Sequence, residues 1–153
     1  MKYQRKVSIT NIAHNMGFIV CNRHFKNNEI SCIICDNIDG NEREKAIYLN
    51  KYLANSTKRF LVALSLAYYK EHQLHHIKTK TYYKKIYEDD NPNDEIMKNA
   101  LELILPTNIM LEIISKEDDI YSKIFLLANS FDIEPQIIYY KLKLLEGSNQ
   151  KAK

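Results

Sequence analysis

The 153-residue chain contains no tryptophan and only three glycines, three prolines and three cysteines. So little glycine and proline, in a chain that is 45% hydrophobic and 27% charged, excludes collagen-like, low-complexity and disordered classes. An odd number of cysteines offers no disulfide framework and fits a reducing compartment. Long apolar runs are missing as well: the longest uncharged, mainly apolar stretch is the ten residues from Phe60 to Tyr69, where a membrane-spanning helix needs about twenty. Met1-Lys2-Tyr3-Gln4-Arg5-Lys6 leads into Ser8, Thr10, Asn11 and His14, with no apolar core and no small-residue cleavage site. No secretory signal is therefore predicted, and the expected compartment is the cytoplasm. A dominant charge is absent too, since 22 basic and 19 acidic residues leave a formal +3 and no five like charges run together. That balance does not by itself demand nucleic acid.

What is present is a chain able to bury a core: 45% of residues are hydrophobic and 27% charged, the composition of one ordinary globular domain. Twenty Ile, fifteen Asn, eighteen Lys and eleven Tyr make up about two-fifths of the chain. All four are read from A/T-rich codons, so the lysines alone carry little information about function.

Apolar residues at 9, 12, 13 and 16 predict a short helix ended by Gly17. Phe18 to Cys21, Ile30 to Cys35 and Ala46 to Leu49 are short β-branched or aromatic runs between polar turns, which predicts a three-stranded antiparallel meander. From Ser56 onward the pattern is helical almost throughout. The first of these helices, Thr57 to His75 with Ser56 as its N-cap, is apolar on nearly every side between Phe60 and Tyr69, the mark of a buried central helix. Glu88 to Asp94 contains Pro92 and reads as a surface loop. Further helices are expected at Asp94 to Leu105, Pro106 to Ser115, Asp118 to Ser130 and Glu134 to Leu145, with Pro106 and Pro135 in first turns. The fold class is α+β, mostly helical: a single domain over residues 1–146 and a frayed tail over 147–153.

Three groups of residues could carry chemistry. Cys32-Ile33-Ile34-Cys35 has the spacing of a redox or zinc pair, but residues three apart on a strand point to opposite faces, so buried inert thiols explain it better. His72 and His76 stand one helical turn apart, the geometry by which two imidazoles grip one metal. Gln73 occupies the place of the glutamate in HExxH, and an amide cannot take a proton from metal-bound water. Leu127 to Leu142 has the outline of a helix-turn-helix whose second helix would offer Gln136, Tyr139, Lys141 and Lys143 to DNA. Glu134 would then face phosphates, and Ile137, Ile138 and Leu142 fit packing better than base reading.

Three segments together resemble the ImmA/IrrE family of zinc metallopeptidases: Ile47-Tyr48-Leu49-Asn50 followed by Arg59-Phe60, then Ile104-Leu105-Pro106, then the helical pair from Leu127 to Leu142. The resemblance spans roughly residues 5 to 145 and rests on their order and spacing. It implies a zincin-like fold and, for active members, cleavage of helix-turn-helix repressors of mobile elements or stress responses. In that register the family's HELGH falls on Leu64-Ser65-Leu66-Ala67-Tyr68, so both zinc histidines and the catalytic glutamate are replaced. Glu95 stands near the family's acidic third ligand, although Asn93 is an alternative match, and Ile96-Met97 occupies the place of the usual Ala-Asn. Leu64, Ser65 and Tyr68 fall within about a 100° arc of a helix and are expected to face the helix carrying Glu95.

The leading expectation is therefore a non-catalytic pseudo-metallopeptidase without zinc or other cofactor. It would act in a bacterial host as a phage- or mobile-element-encoded regulator that binds a protein partner, a helix-turn-helix repressor being the best motivated. The alternatives are a zinc metallopeptidase using His72, His76 and Glu95, and a sequence-specific DNA-binding protein using Gln136, Tyr139, Lys141 and Lys143.

Overall fold

The computed structural model describes residues 8–39, 42–72, 79–83, 95–114 and 120–151. Among them are six helices and four strands: α1 (Ile9–Asn15), β1 (Ile19–Arg23), β2 (Ile30–Asp39), β3 (Glu42–Asn50), α2 (Asn55–His72), β4 (Thr79–Tyr83), α3 (Glu95–Ile104), α4 (Thr107–Ile114), α5 (Ile120–Phe131) and α6 (Pro135–Lys151). The α+β, mostly helical class expected from the pattern is present. No helix among the described residues is long and apolar enough to cross a membrane.

Helix α1 buries Ile9 and Ala13 on one side. It closes where Gly17 takes φ +89°, a backbone conformation that only a residue without Cβ adopts freely. The Gly17 amide donates to the His14 carbonyl at 2.9 Å and the Phe18 amide to the Ala13 carbonyl at 2.9 Å. This double closure is the Schellman motif, and the turned-back Phe18 is 1% exposed in the core.

The sheet differs from the meander read in the sequence. Its order is β1-β3-β2-β4, and β1 runs parallel to β3, with Val20 opposite Ile47. β2 is antiparallel to both β3 and β4. Alternation along a strand fixes which side chains share a face but not which strand lies alongside, so the β2–β3 hairpin was legible and the placement of β1 was not. The fourth strand, Thr79-Lys80-Thr81-Tyr82-Tyr83, lies in a region read as helical, although threonine and tyrosine favour strands.

One face of the sheet carries Val20, Cys32, Ile34, Ile47 and Leu49 into the core, with Cys32 opposite Leu49 and Ile34 opposite Ile47. Cys35 pairs with Ala46 on the other face, so the two thiols point apart as strand geometry requires. Helix α2 lies across the core face, and its residues from Phe60 to Ala67 are all buried, which is how a helix apolar on every side is accommodated. It starts at Asn55, so Ser56 lies in its first turn and does not cap it. Pro135 opens α6 at the first helical position, as expected. That helix continues past Leu145 to Lys151. The expected surface loop from Glu88 to Asp94 lies outside the described residues.

Candidate functional site

Helix α2 holds the positions that the resemblance aligns with a metal site. Leu64 is 3% and Ser65 0% exposed. The Ser65 hydroxyl donates to the carbonyl of Leu61 one turn back, at 2.8 Å, and its oxygen lies 3.4 Å from the Cys32 sulfur on β2. A hydroxyl has one proton, and a carbonyl only accepts. The Cys32 thiol is therefore the donor to Ser65.

Burial pushes that thiol up to about 12, so it stays protonated at neutral pH. Burial also raises the Cys35 thiol, with Glu44 adding to the effect. Thiolate is the reactive form, and Cys21 is the one cysteine that is not buried. With a thiol-specific disulfide reagent at neutral pH, Cys21 is expected to react first, and Cys32 only when denaturant opens the core. Labelling followed by peptide mass analysis checks this order.

Tyr68, one turn beyond Leu64, is half-buried. Its ring lies 4.4 Å from the His72 ring and 6.2 Å from that of Tyr82 on β4. The Lys80 ammonium sits 5.4 Å above Tyr68 and 5.5 Å above Tyr82. Ser65 thus meets β2 through Cys32, and Tyr68 meets β4 through Tyr82. Glu95 opens α3, is 68% exposed and pairs with Lys98 at 3.5 Å, a surface ion pair of little energetic weight. His76, of the alternative metal set, lies outside the described residues, and the His72 ring packs at a tilt of 42° against Tyr68. No three His, Cys, Asp or Glu side chains among the described residues form a group able to hold a metal ion.

The zinc that the resemblance would imply needs nitrogen, sulfur or carboxylate donors. Leu64 has none, Ser65 is sealed in the core with its proton committed to a backbone carbonyl, and Tyr68 is packed among rings. The residues present at these positions do not fit a zinc ion.

On α6, Gln136, Tyr139 and Lys143 are exposed, with the Lys143 ammonium 5.2 Å above the Tyr139 ring. Lys141 is not with them. It is 4% exposed, lies 3.1 Å from a carboxylate oxygen of Glu102 on α3, and donates to the Leu105 carbonyl. Positions 137, 138 and 141 share one stripe of a helix, and Ile137 and Ile138 are buried there. The reading of Lys141 as a DNA contact is corrected on that ground. The same stripe could have shown it in the sequence.

Arg59, noticed only within the Arg-Phe pair, has a structural role. Its guanidinium donates to the Phe131 carbonyl, and to the Asp132 carbonyl at 2.9 Å. Asp132 has φ 53° at the turn into α6, and the Thr57 hydroxyl donates to the Glu134 carboxylate beside it. Burial lowers the guanidinium's affinity for its proton, while Asp132 supports it. The start of α2 is thereby fastened to the α5–α6 turn, and the end of α3 is fastened to α6 through Lys141. The segments that carried the resemblance, far apart in sequence, meet through these two sets of bonds.

No curated protein and no solved structure matches the chain. One family profile does, described as the IrrE N-terminal-like domain of the M78 peptidases, over residues 20–143. That match runs from the first strand to the last helix, so the chain belongs to the IrrE N-terminal-like domain family.

Proposed function

We propose that the protein is a non-catalytic member of this family that regulates by binding another protein. The observation that carries the reading is the state of Ser65. Where the resemblance places a catalytic glutamate there is a fully buried hydroxyl whose proton goes to the Leu61 carbonyl, with a leucine where the first metal-binding histidine would stand. A general base must reach water or substrate, and a side chain closed in by Cys32 and Leu61 reaches neither.

The partner that the family resemblance favours is a helix-turn-helix repressor, and the setting it favours is a phage or other mobile element in a bacterial cytoplasm. This step is an analogy with active relatives, since fold alone does not fix function. The test mixes the untagged protein with the helix-turn-helix repressors of its native host, with and without added zinc, and follows complex size and repressor mass. The expected result is a complex containing one repressor at its intact mass under both conditions. Zinc-dependent repressor fragments would replace this reading with proteolysis. Failure of every repressor to bind would remove the proposed partner.

A further inference from the structure

The carboxyl ends of β1 and β3 lie side by side, because these strands are parallel and the Lys51 amide donates to the Arg23 carbonyl at 2.9 Å. Three cationic side chains, the His24 imidazole and two tyrosines converge there. The Arg23 guanidinium stacks 3.8 Å from the centre of the Tyr48 ring. The His24 ring meets the Tyr52 ring edge-on at 5.7 Å. The Lys51 ammonium lies 5.0 Å above Tyr52, and Lys58, from the first turn of α2, donates to the Lys51 carbonyl at 3.2 Å. Tyr52 leaves 69% of its surface in water, and Arg23, His24 and Lys51 are exposed.

Among the described residues none of these cations is paired with a carboxylate. The Glu44 carboxylate accepts from the Tyr48 hydroxyl at one edge of the cluster, and Glu134 accepts from Thr57. A face meant only for solubility would mix signs. Here the exposed, flat ring of Tyr52 has Lys51 and His24 against it, with Arg23 next to His24 in the chain.

We infer that this end of the sheet binds single-stranded nucleic acid, with phosphates held by Arg23, Lys51 and Lys58 and a base stacked on Tyr52. An acidic protein would use the cations but has no need of the exposed ring. A base uses the ring whatever its sequence, since every base has a π face. The surface is built from β1, β3 and the start of α2, and does not include the exposed Tyr139 and Lys143 of α6. The inference goes beyond the regulator reading and stands or falls separately from it.

The test is fluorescence anisotropy of a labelled thymidine oligomer of about fifteen nucleotides, titrated with the full chain at several salt concentrations from about 50 mM upward. Binding is expected to fall with salt at a log–log slope of about −2, as three phosphate contacts on a single strand give. Tyr52→Ala should weaken binding by about tenfold with the slope unchanged. The double variant Lys51→Gln/Lys58→Gln should flatten the slope by about 1.4. These positions are on the surface, and circular dichroism confirms that each variant is folded. Lys143→Gln on α6 should leave binding unchanged. Three results would overturn the inference: no binding at the lowest salt, equal binding of heparin or polyglutamate with no effect of Tyr52→Ala, or loss of binding only in the Lys143 variant.

Discussion

Ser65→Glu is expected to destabilise the protein by at least about 4 kcal/mol, enough to leave much of it unfolded at room temperature. The substitution puts back the carboxylate that the family's active motif carries. At this position the side chain is fully buried, with Cys32 on one side and its own helix backbone on the other. A carboxylate there loses its hydration and gains no cation, so it either stays protonated or forces the helix off the sheet. Ser65→Ala supplies the contrast: it deletes a hydroxyl already satisfied within the helix and should cost about 1 kcal/mol or less. Urea unfolding of both variants measures the difference. A Ser65→Glu protein within about 1 kcal/mol of wild type would mean that the position opens to water. Placing histidines at Leu64 and Tyr68 as well would add to the cost, because apolar packing is replaced by polar rings.

Lys141→Ala is expected to cost about 2–3 kcal/mol. The ammonium joins the Leu105 carbonyl and the Glu102 carboxylate, and Glu102 in turn caps α4 by accepting from the Thr107 amide at 2.9 Å and hydroxyl at 2.6 Å. Removing it leaves the Leu105 carbonyl without this donor and takes a packed aliphatic stem from between α3 and α6. Lys141→Met keeps most of the stem and should recover part of the loss.

The pH dependence has a definite sign. Burial pushes the Glu102 carboxyl up, but the Thr107 and Lys141 hydrogen bonds outweigh it and hold the group below the usual carboxylate range. A depressed carboxylate contributes stability above its unfolded value, and that stability is lost as pH falls through the folded value. Glu102 is 54% exposed, so solvent screens the contribution and it is modest. Wild type should therefore lose stability in acid more steeply than Lys141→Ala, in which the carboxyl has one donor fewer. Burial lowers Lys141 against the pull of Glu102; its charge is thus a cost at neutral pH that eases as pH rises through its folded value.

Much of this was legible before the structure. The apolar girdle read from Phe60 to Tyr69 marks a helix packed on all sides, which the structure buries as far as Ala67, and the breaks at Gly17, Pro106 and Pro135 mark helix ends, because these signals are local. The β1–β3 pairing was not legible, since parallel neighbours are chosen by tertiary packing of α1 and α2. β4 was missed because five residues of Thr, Lys and Tyr give a weak period of either kind. Lys141 was misplaced because a lysine is read as surface by default, although its stripe already held Ile137 and Ile138. The replaced positions on α2 were read through the resemblance alone; that Ser65 meets Cys32 and Tyr68 meets Tyr82 is a matter of helix rotation, which spacing leaves open.

Zinc content tests the central claim most directly. The untagged protein, purified without chelators and analysed by atomic spectrometry at neutral pH, where imidazoles are free to ligate, should carry less than about a tenth of an equivalent of zinc. Adding zinc should leave its melting temperature unchanged, because a metal that binds only the native state would raise it. One equivalent of zinc that survives dialysis and raises the melting temperature would contradict the account.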